Sequence, residues 1–271
     1  MNIPKPEVVL IDTHCHLDME AYGSDLDEVL DRAKKCGVQH VVTIGIDLPS
    51  SHNAIQLAKS YQSISAAVGV HPHDVDNIKE TTYQEIGDLV EQNRQYIVGY
   101  GEIGLDYIKN YSTIENQQKH FRTQLALARE LNLPVIIHDR EAHDDILHII
   151  KDVGLPEAGG IMHCFSGDKI FAQKVLKLGL LLSIPGVVTF KNAKSLQEVT
   201  KWAPIDALLV ETDGPFLSPH PKRGKRNEPA HVAYTARYAA ELRNMSFEEF
   251  ARRTTQNSCR IFNLPIPQPD K

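Results

Sequence analysis

Short apolar runs rich in β-branched residues alternate along this chain with longer stretches in which apolar positions recur every three or four residues. The short runs are Val8–Thr13, His40–Gly45, Ile64–Val70, Ile97–Glu102, Val135–His138, Gly160–His163, Leu180–Ile184 and Leu208–Glu211. Each is nearly continuous in apolar residues, the pattern of parallel strands covered on both faces. The longer stretches read as helices. Leu26–Cys36 puts Leu26, Val29, Leu30 and Ala33 on one face and stops before Gly37, and Glu115–Leu131 does the same with Phe121, Leu125, Ala128 and Leu131. Ala142–Val153, Lys169–Leu178 and Val232–Leu242 follow the same rule, and Ser195–Trp202 carries the faintest helical spacing.

Eight strand–helix alternations with no linker-like interruption predict an α/β chain folded as a single (β/α)8 TIM-type barrel over residues 1–271, its core at about 8–262. The competing architecture is a doubly wound open sheet. It normally carries a GxGxxG turn after the first strand, and none follows Thr13. Met245–Phe262 predicts one or two extra C-terminal helices, and Pro265, Pro267 and Pro269 mark a frayed terminus.

Composition narrows the function classes. With 42% hydrophobic and 24% charged residues, the chain has the make-up of an ordinary globular enzyme. Its 29 basic against 35 acidic residues leave a net charge of −6, which argues against coating nucleic acid by bulk electrostatics. Any polyanionic substrate must be met locally, by a small basic patch or by cations. Cys15, Cys36, Cys164 and Cys259 are scattered without a CxxC pair, as expected for free thiols in a reducing compartment. The start MNIPKPEVVLIDTH lacks a signal-peptide pattern, and no apolar run approaches the ~18 residues of a membrane span. The expectation is a cytoplasmic protein with no membrane association and no obligate protein partner.

Candidate chemistry sits at the strand ends. His14 and His16 leave the first strand as HxH, and in extended chain residues i and i+2 point the same way. Glu102 ends the fourth strand, His138 the fifth and His163 the sixth, and Asp213 lies just beyond the eighth. In a barrel those ends converge on one rim, where active sites sit. Neutral imidazole with hard carboxylate suits zinc, manganese, magnesium or a comparable divalent ion. Six ligands exceed what one catalytic ion needs, so two ions are expected, with Glu102 as the bridge. Two ions about 3.5–4 Å apart can clamp the attacking and leaving oxygens of a phosphodiester.

The runs IDTHCHLD, GVHPH, GEIGLDY, IIHDR, HCFSG, ETDGPFL and the NEP of the basic loop, in this order from about residue 10 to 262, resemble the TatD family of metal-dependent deoxyribonucleases, part of the amidohydrolase-like barrel group. The resemblance implies the same six ligands, His14, His16, Glu102, His138, His163 and Asp213. It also implies divalent-metal-dependent hydrolysis of DNA, often as a 3′–5′ exonuclease, with single strands or 3′ ends as partner. Three departures bear on substrate preference: Asp139 where the family commonly has serine, Gly214 where it has Ala or Ser, and Ile108 where it has a second Tyr.

Around the ligands, His71 is expected to contact a phosphate or assist the leaving oxygen, and His73 to be exposed and secondary. Arg140 shares the side of His138 and is expected to pair with a phosphate, against the alternative of a salt bridge to a rim carboxylate. Lys222, Arg223, Lys225 and Arg226 in PHPKRGKRNEP are expected to steer a nucleic-acid backbone, with Arg226 the foremost contact. Tyr107 and Phe216 are candidates to stack on a base or sugar. Glu211 is read as an interior carboxylate orienting His14 or His16. Asp12 and Asp18 are read as ordinary strand-end and loop residues. Cys15 and Cys164 neighbour ligands in extended chain, so they should point away and pack.

On this reading Asp213 takes a proton from the attacking water and Glu102 and His71 complete the catalytic set. A carbonyl ester or amide hydrolase of the same barrel group, such as an aminoacyl-tRNA ester deacylase, is the alternative. Many barrels of that group place a carbamylated lysine on strand four, where this chain has Glu102. A degenerate binding scaffold would lack ligands, and none of the six is missing.

Overall fold

Runs of apolar residues too short for helices and too continuous for a half-exposed sheet can satisfy their backbone only by pairing with one another between two apolar layers. The computed structural model describes residues 8–109 and 111–267. There the runs form β1 (Leu10–Cys15), β2 (Val38–Ile44), β3 (Ile64–Val68), β4 (Ile97–Asp106), β5 (Val135–Arg140), β6 (Gly160–Met162), β7 (Leu180–Ile184) and β8 (Leu208–Val210). They pair in parallel in strict chain order, β1 to β8. The seam between β8 and β1 is bridged by Asp213 N–H to the His14 carbonyl at 2.9 Å and His16 N–H to the Gly214 carbonyl at 2.8 Å. Asp12 belongs to this seam and is no ordinary strand end: fully buried, it accepts from the Thr212 N–H at 2.9 Å and from the Thr212 hydroxyl at 2.5 Å. The expected (β/α)8 barrel is the observed fold.

Alternation along each strand separates two apolar layers. Val42, Ile44, Ala67, Ile136, Ile161 and Leu209 meet inside the barrel, and Phe262 covers them from below. Their neighbours, such as Val41, Ala66, Val135 and Leu208, pack outward against the helices. The helices are α1 (Leu26–Lys35), α2 (Leu48–Ser60), α3 (Thr82–Asn93), α4 (Ile114–Glu130), α5 (His143–Val153), α6 (Lys169–Lys177), α7 (Lys194–Trp202), α8 (Val232–Leu242) and α9 (Phe247–Phe262). The tail is thus one helix, started by Ser246, whose hydroxyl accepts from the Glu249 N–H at 3.1 Å. It ends at Asn263, in the left-handed conformation at φ 51°. Of the terminal prolines, Pro265 and Pro267 follow α9 in irregular chain, and Pro269 lies outside the described residues.

Hydrophobic spacing left α2 and α3 undelineated. Serines and Asn53 break the apolar stripe of α2, and its signal is at its start. There Asp47 accepts from the Ser50 N–H at 2.7 Å, and the Ser50 hydroxyl accepts from the Asp47 N–H at 2.9 Å. Among the described residues no helix is long and apolar enough to cross a membrane.

One backbone position holds the rim together. Gly104 in β4 has φ +144°, and a Cβ there would lie 2.0 Å from the carbonyl oxygen of His138, its register partner in β5. We expect Gly104→Ala to cost on the order of 3 kcal/mol, because positive φ and a backbone clash add. Urea denaturation reads it, and an unchanged midpoint would show that the β4–β5 approach is not this tight.

Candidate metal centre

The HxH of β1 does what extended geometry requires. His14 and His16 turn their Nε2 atoms to within 3.3 Å of each other. His14 Nε2 is 3.3 Å from Glu102 Oε2 and 3.8 Å from Asp213 Oδ1; His16 Nε2 is 3.8 and 3.5 Å from the same two oxygens. Four donors from β1, β4 and the chain after β8 therefore surround one point. The other oxygen, Glu102 Oε1, faces a different group: His138 Nδ1 at 2.6 Å, His163 Nε2 at 3.2 Å and His71 Nε2 at 3.6 Å. One carboxylate is thus divided between two nests of donors.

The donor set fits divalent cations. Atoms bound to one ion at about 2.1 Å lie about 3–4 Å apart, which is the spacing of the first nest and of His163 and His71 about Glu102 Oε1, with His138 held closer by its hydrogen bond. The triads His14–His16–Glu102 and His71–Glu102–His138 each converge on a common point. Second contacts orient the rings. His16 Nδ1 donates to the Ile44 carbonyl at 3.2 Å, leaving the Nε2 lone pair toward Asp213 and Glu102. Glu211 Oε1 lies 3.0 Å from His163 Nδ1 and accepts from the Cys164 N–H at 2.7 Å. Glu211 thus stands against His163, and its donor atom also clusters with those of His14 and His163, while none of its contacts reaches His16.

Electrostatics agree with this packing. Burial would raise the Glu102 carboxyl, but the imidazoles of His163, His14 and His71 and the hydrogen bond from His138 outweigh it and hold it well below the usual range. Burial disfavours charge on His138, yet its bonds to Asp106 and Glu102 raise it to about 9. His71 goes the other way: burial pushes it well below the ordinary imidazole value. Its Nδ1 accepts from the His73 N–H at 3.1 Å, so the neutral ring keeps its proton on Nε2, facing Glu102. His71 is thus set up as a hydrogen-bond donor toward the centre.

Asp106 is the residue that sequence reasoning missed. Fully buried at the end of β4, it bonds to His73 Nε2 at 2.7 Å and reaches His138 Nε2 at 3.4 Å. Its other oxygen accepts the N–H groups of Ile108 and Lys109, both at 2.9 Å. The signal was present, since Asp106 follows Glu102 by four residues and so shares its strand face. His73, expected to be exposed, is held half-buried against it.

The outer contacts rearrange more. A cavity of about 730 Å³ opens over the centre, lined by His71, His73, Lys109, Arg140, Cys164 and Phe216 among others. Arg140 is there, half exposed, its nearest carboxylate Asp106 at 3.8 Å. Lys109 joins it, unforeseen. Arg226 does not reach the cavity: its guanidinium grips Asp25 through two bonds of 2.7 Å and lies over the Tyr22 ring. Of the neighbouring cations, Arg223 lies over Phe190 at 4.0 Å and Lys222 stands 5.9 Å from the Tyr234 ring centroid. Tyr107 turns away as well, donating to Asp145 at 2.6 Å and accepting from Gln118 at 2.7 Å. Cys15 packs as expected, but Cys164 lines the cavity. It lies past the end of β6 at φ 44°, where strand alternation no longer applies. Gly214 also has a local reason: a Cβ there would sit 2.5 Å from the Tyr22 hydroxyl, which donates to the Asn227 carbonyl at 2.7 Å.

Comparison with known proteins adds to this geometry. The family profile described as TatD related DNase matches residues 11–263. A Bacillus subtilis protein named uncharacterized metal-dependent hydrolase YabD is 46% identical over 94% of this chain and its own full length. The Escherichia coli protein named uncharacterized metal-dependent hydrolase YcfH is 37% identical, with 94% of this chain and 96% of the relative covered. Among solved structures, YJJV, a TatD homologue from Escherichia coli, superposes with a TM-score of 0.90 at 31% identity, covering 94% of this chain and 98% of that one.

Proposed function

Because the chain belongs to the TatD family of metal-dependent hydrolases, we propose that it hydrolyses phosphodiester bonds at the 3′ ends of single-stranded DNA, working in the 3′–5′ direction. The observation that carries this reading is the division of Glu102 between two nests of donors. On this reading His14, His16, Asp213 and Glu102 would hold one divalent ion, and His138, His163 and Glu102 would hold a second. Magnesium, manganese or zinc, when bound, would supply Lewis acidity toward the phosphate and the attacking water.

The chain's own residues do the rest. Asp213 Oδ1, beside both imidazoles of the HxH pair, accepts the proton of the attacking water. His71 keeps its proton and donates a hydrogen bond from Nε2–H to the leaving 3′-oxygen, which takes its own proton from water. Arg140 and Lys109, which line the cavity with His71, hold non-bridging oxygens. Arg226 and Tyr107 receive no substrate contact, since Asp25 and Asp145 already engage them. The apolar layer of Val42, Ile44, Ile136 and Leu209 fills the barrel below. The cavity is therefore closed toward the barrel interior.

The test is metal-stripped protein reloaded with one ion at a time and given end-labelled single-stranded DNA, RNA and an aminoacyl ester. Mononucleotide release from the 3′ end of DNA, abolished by chelation and restored by a divalent ion, is the expected result. Faster cleavage of the ester than of DNA would assign the site to carbonyl chemistry instead.

A further inference from the structure

Two exposed aromatic side chains stand on different sectors of the rim. Phe216, half exposed, lies edge-to-face with the candidate ligand His16 at 6.2 Å between ring centroids. It follows β8 and packs on the chain leaving β1. Tyr111, 66% exposed, lies edge-to-face with His73 at 4.9 Å, and His73 in turn is 4.2 Å from His71. It belongs to the loop after β4 and packs on the loop after β3. In a barrel whose strands pair in chain order, β2 on one side and β5 to β7 on the other separate these sectors. The Glu102 centre therefore has one ring in its β8–β1 quarter and the other in its β3–β4 quarter. Tyr107, unlike them, is tied to Asp145 and Gln118.

Large exposed aromatic surface beside a polar centre is costly to leave uncovered, and a base stacked on it removes that cost. Leu217, 36% exposed, continues the apolar wall beside Phe216, and Ile108, 52% exposed, lies in the loop that carries Tyr111. On the Tyr111 side, Lys109 Nζ lies 6.0 Å from the ring centroid. A cation beside a stacking ring can engage both the backbone and the base of one nucleotide.

We propose that Phe216 and Tyr111 are the stacking platforms for the two nucleobases that flank the scissile phosphate, one on each side of the Glu102 centre. Two consequences follow from the chemistry. The bases must be unpaired to be splayed onto separate rings, so the platforms select single strands. They are also tolerant of sequence, because every base offers a π-face. This inference rests on the phosphodiester reading of the site, and its test separates the two.

Binding of a fluorescein-labelled oligothymidylate to divalent-ion-loaded Asp213→Asn protein is measured by anisotropy. The comparison strand carries abasic sites at its last two 3′ positions. Phe216→Ala and Tyr111→Ala should each weaken binding of the intact strand roughly five- to a hundredfold and alter binding of the abasic strand by less than about twofold. Phe216→Trp and Tyr111→Phe should recover affinity for the intact strand. Equal losses on both strands, no loss on the intact strand, or no binding of it by the parent protein would overturn the proposal. Binding that needs both rings, in a wild-type protein that cleaves no DNA with any divalent ion, would uphold the platforms and remove the hydrolytic reading alone.

Discussion

Glu102→Gln should empty both ion positions together and lower DNA cleavage by at least about a thousandfold, the scale of several kcal/mol of lost charge stabilisation. The replacement is nearly isosteric, so packing at this buried position is preserved. What changes is the donor chemistry. Glu102 Oε2 faces His14 and His16, while Oε1 faces His138, His163 and His71. An amide keeps one oxygen and turns an NH2 toward the other nest, where it presents hydrogens to a cation. It also removes the negative charge that the surrounding imidazoles stabilise against the cost of burial. Metal analysis after gel filtration, alongside cleavage rates, decides the matter. A variant that retains two ions per chain with altered turnover would deny Glu102 its bridging place.

Asp213→Asn should have the second largest effect, a loss of about 10² to 10⁴ in rate, the usual worth of a positioned proton acceptor. The backbone tolerates the change. Asp213 sits at φ 56°, a conformation that asparagine accepts as readily as aspartate. Its N–H bond to His14 and the Phe216 N–H bond to its carbonyl are main-chain contacts that survive. The loss therefore belongs to the side chain. Because Asp213 is placed both as a ligand and as the proton acceptor, ion content must be read in parallel. Near-normal turnover in metal-replete Asp213→Asn would strip Asp213 of its catalytic part. A rate loss that excess metal repairs would leave it a ligand only.

These two residues are legible in the sequence, along with the other four candidate ligands, because all but Glu102 lie within three residues of a strand end; Glu102 lies inside β4, which runs on to Asp106 and does not stop at Glu102 as the sequence suggested. A strand's period and a barrel's convergence together bring such positions to one place, with no need to know the packing. The number of donors calls for a shared ligand, and Glu102 is the natural choice because a carboxylate can offer one oxygen to each side. The barrel is legible for the same reason, since eight apolar runs without a linker leave few other ways to pair. Less legible are α2, whose start is marked by Asp47 and Ser50 and not by an apolar stripe, and Asp106, hidden in the same strand as the acid that draws attention.

The long cationic side chains are the least legible. Arg226 and Arg140 look alike in sequence, each a guanidinium in the chain on the rim side of a strand. Asp25 and the Tyr22 ring take up Arg226, whereas Arg140, 3.8 Å from Asp106, lines the cavity. A flexible side chain takes whichever partner the fold brings within reach, and Asp25 is two hundred residues away in the chain. Sequence by itself thus determined the barrel and the ring of short, backbone-fixed donors at its rim. Tertiary structure alone decided which carboxylate orients which imidazole, and which cations and aromatics line the cavity. Those choices are competitions between groups distant in sequence, settled by distance and burial once the chain has folded.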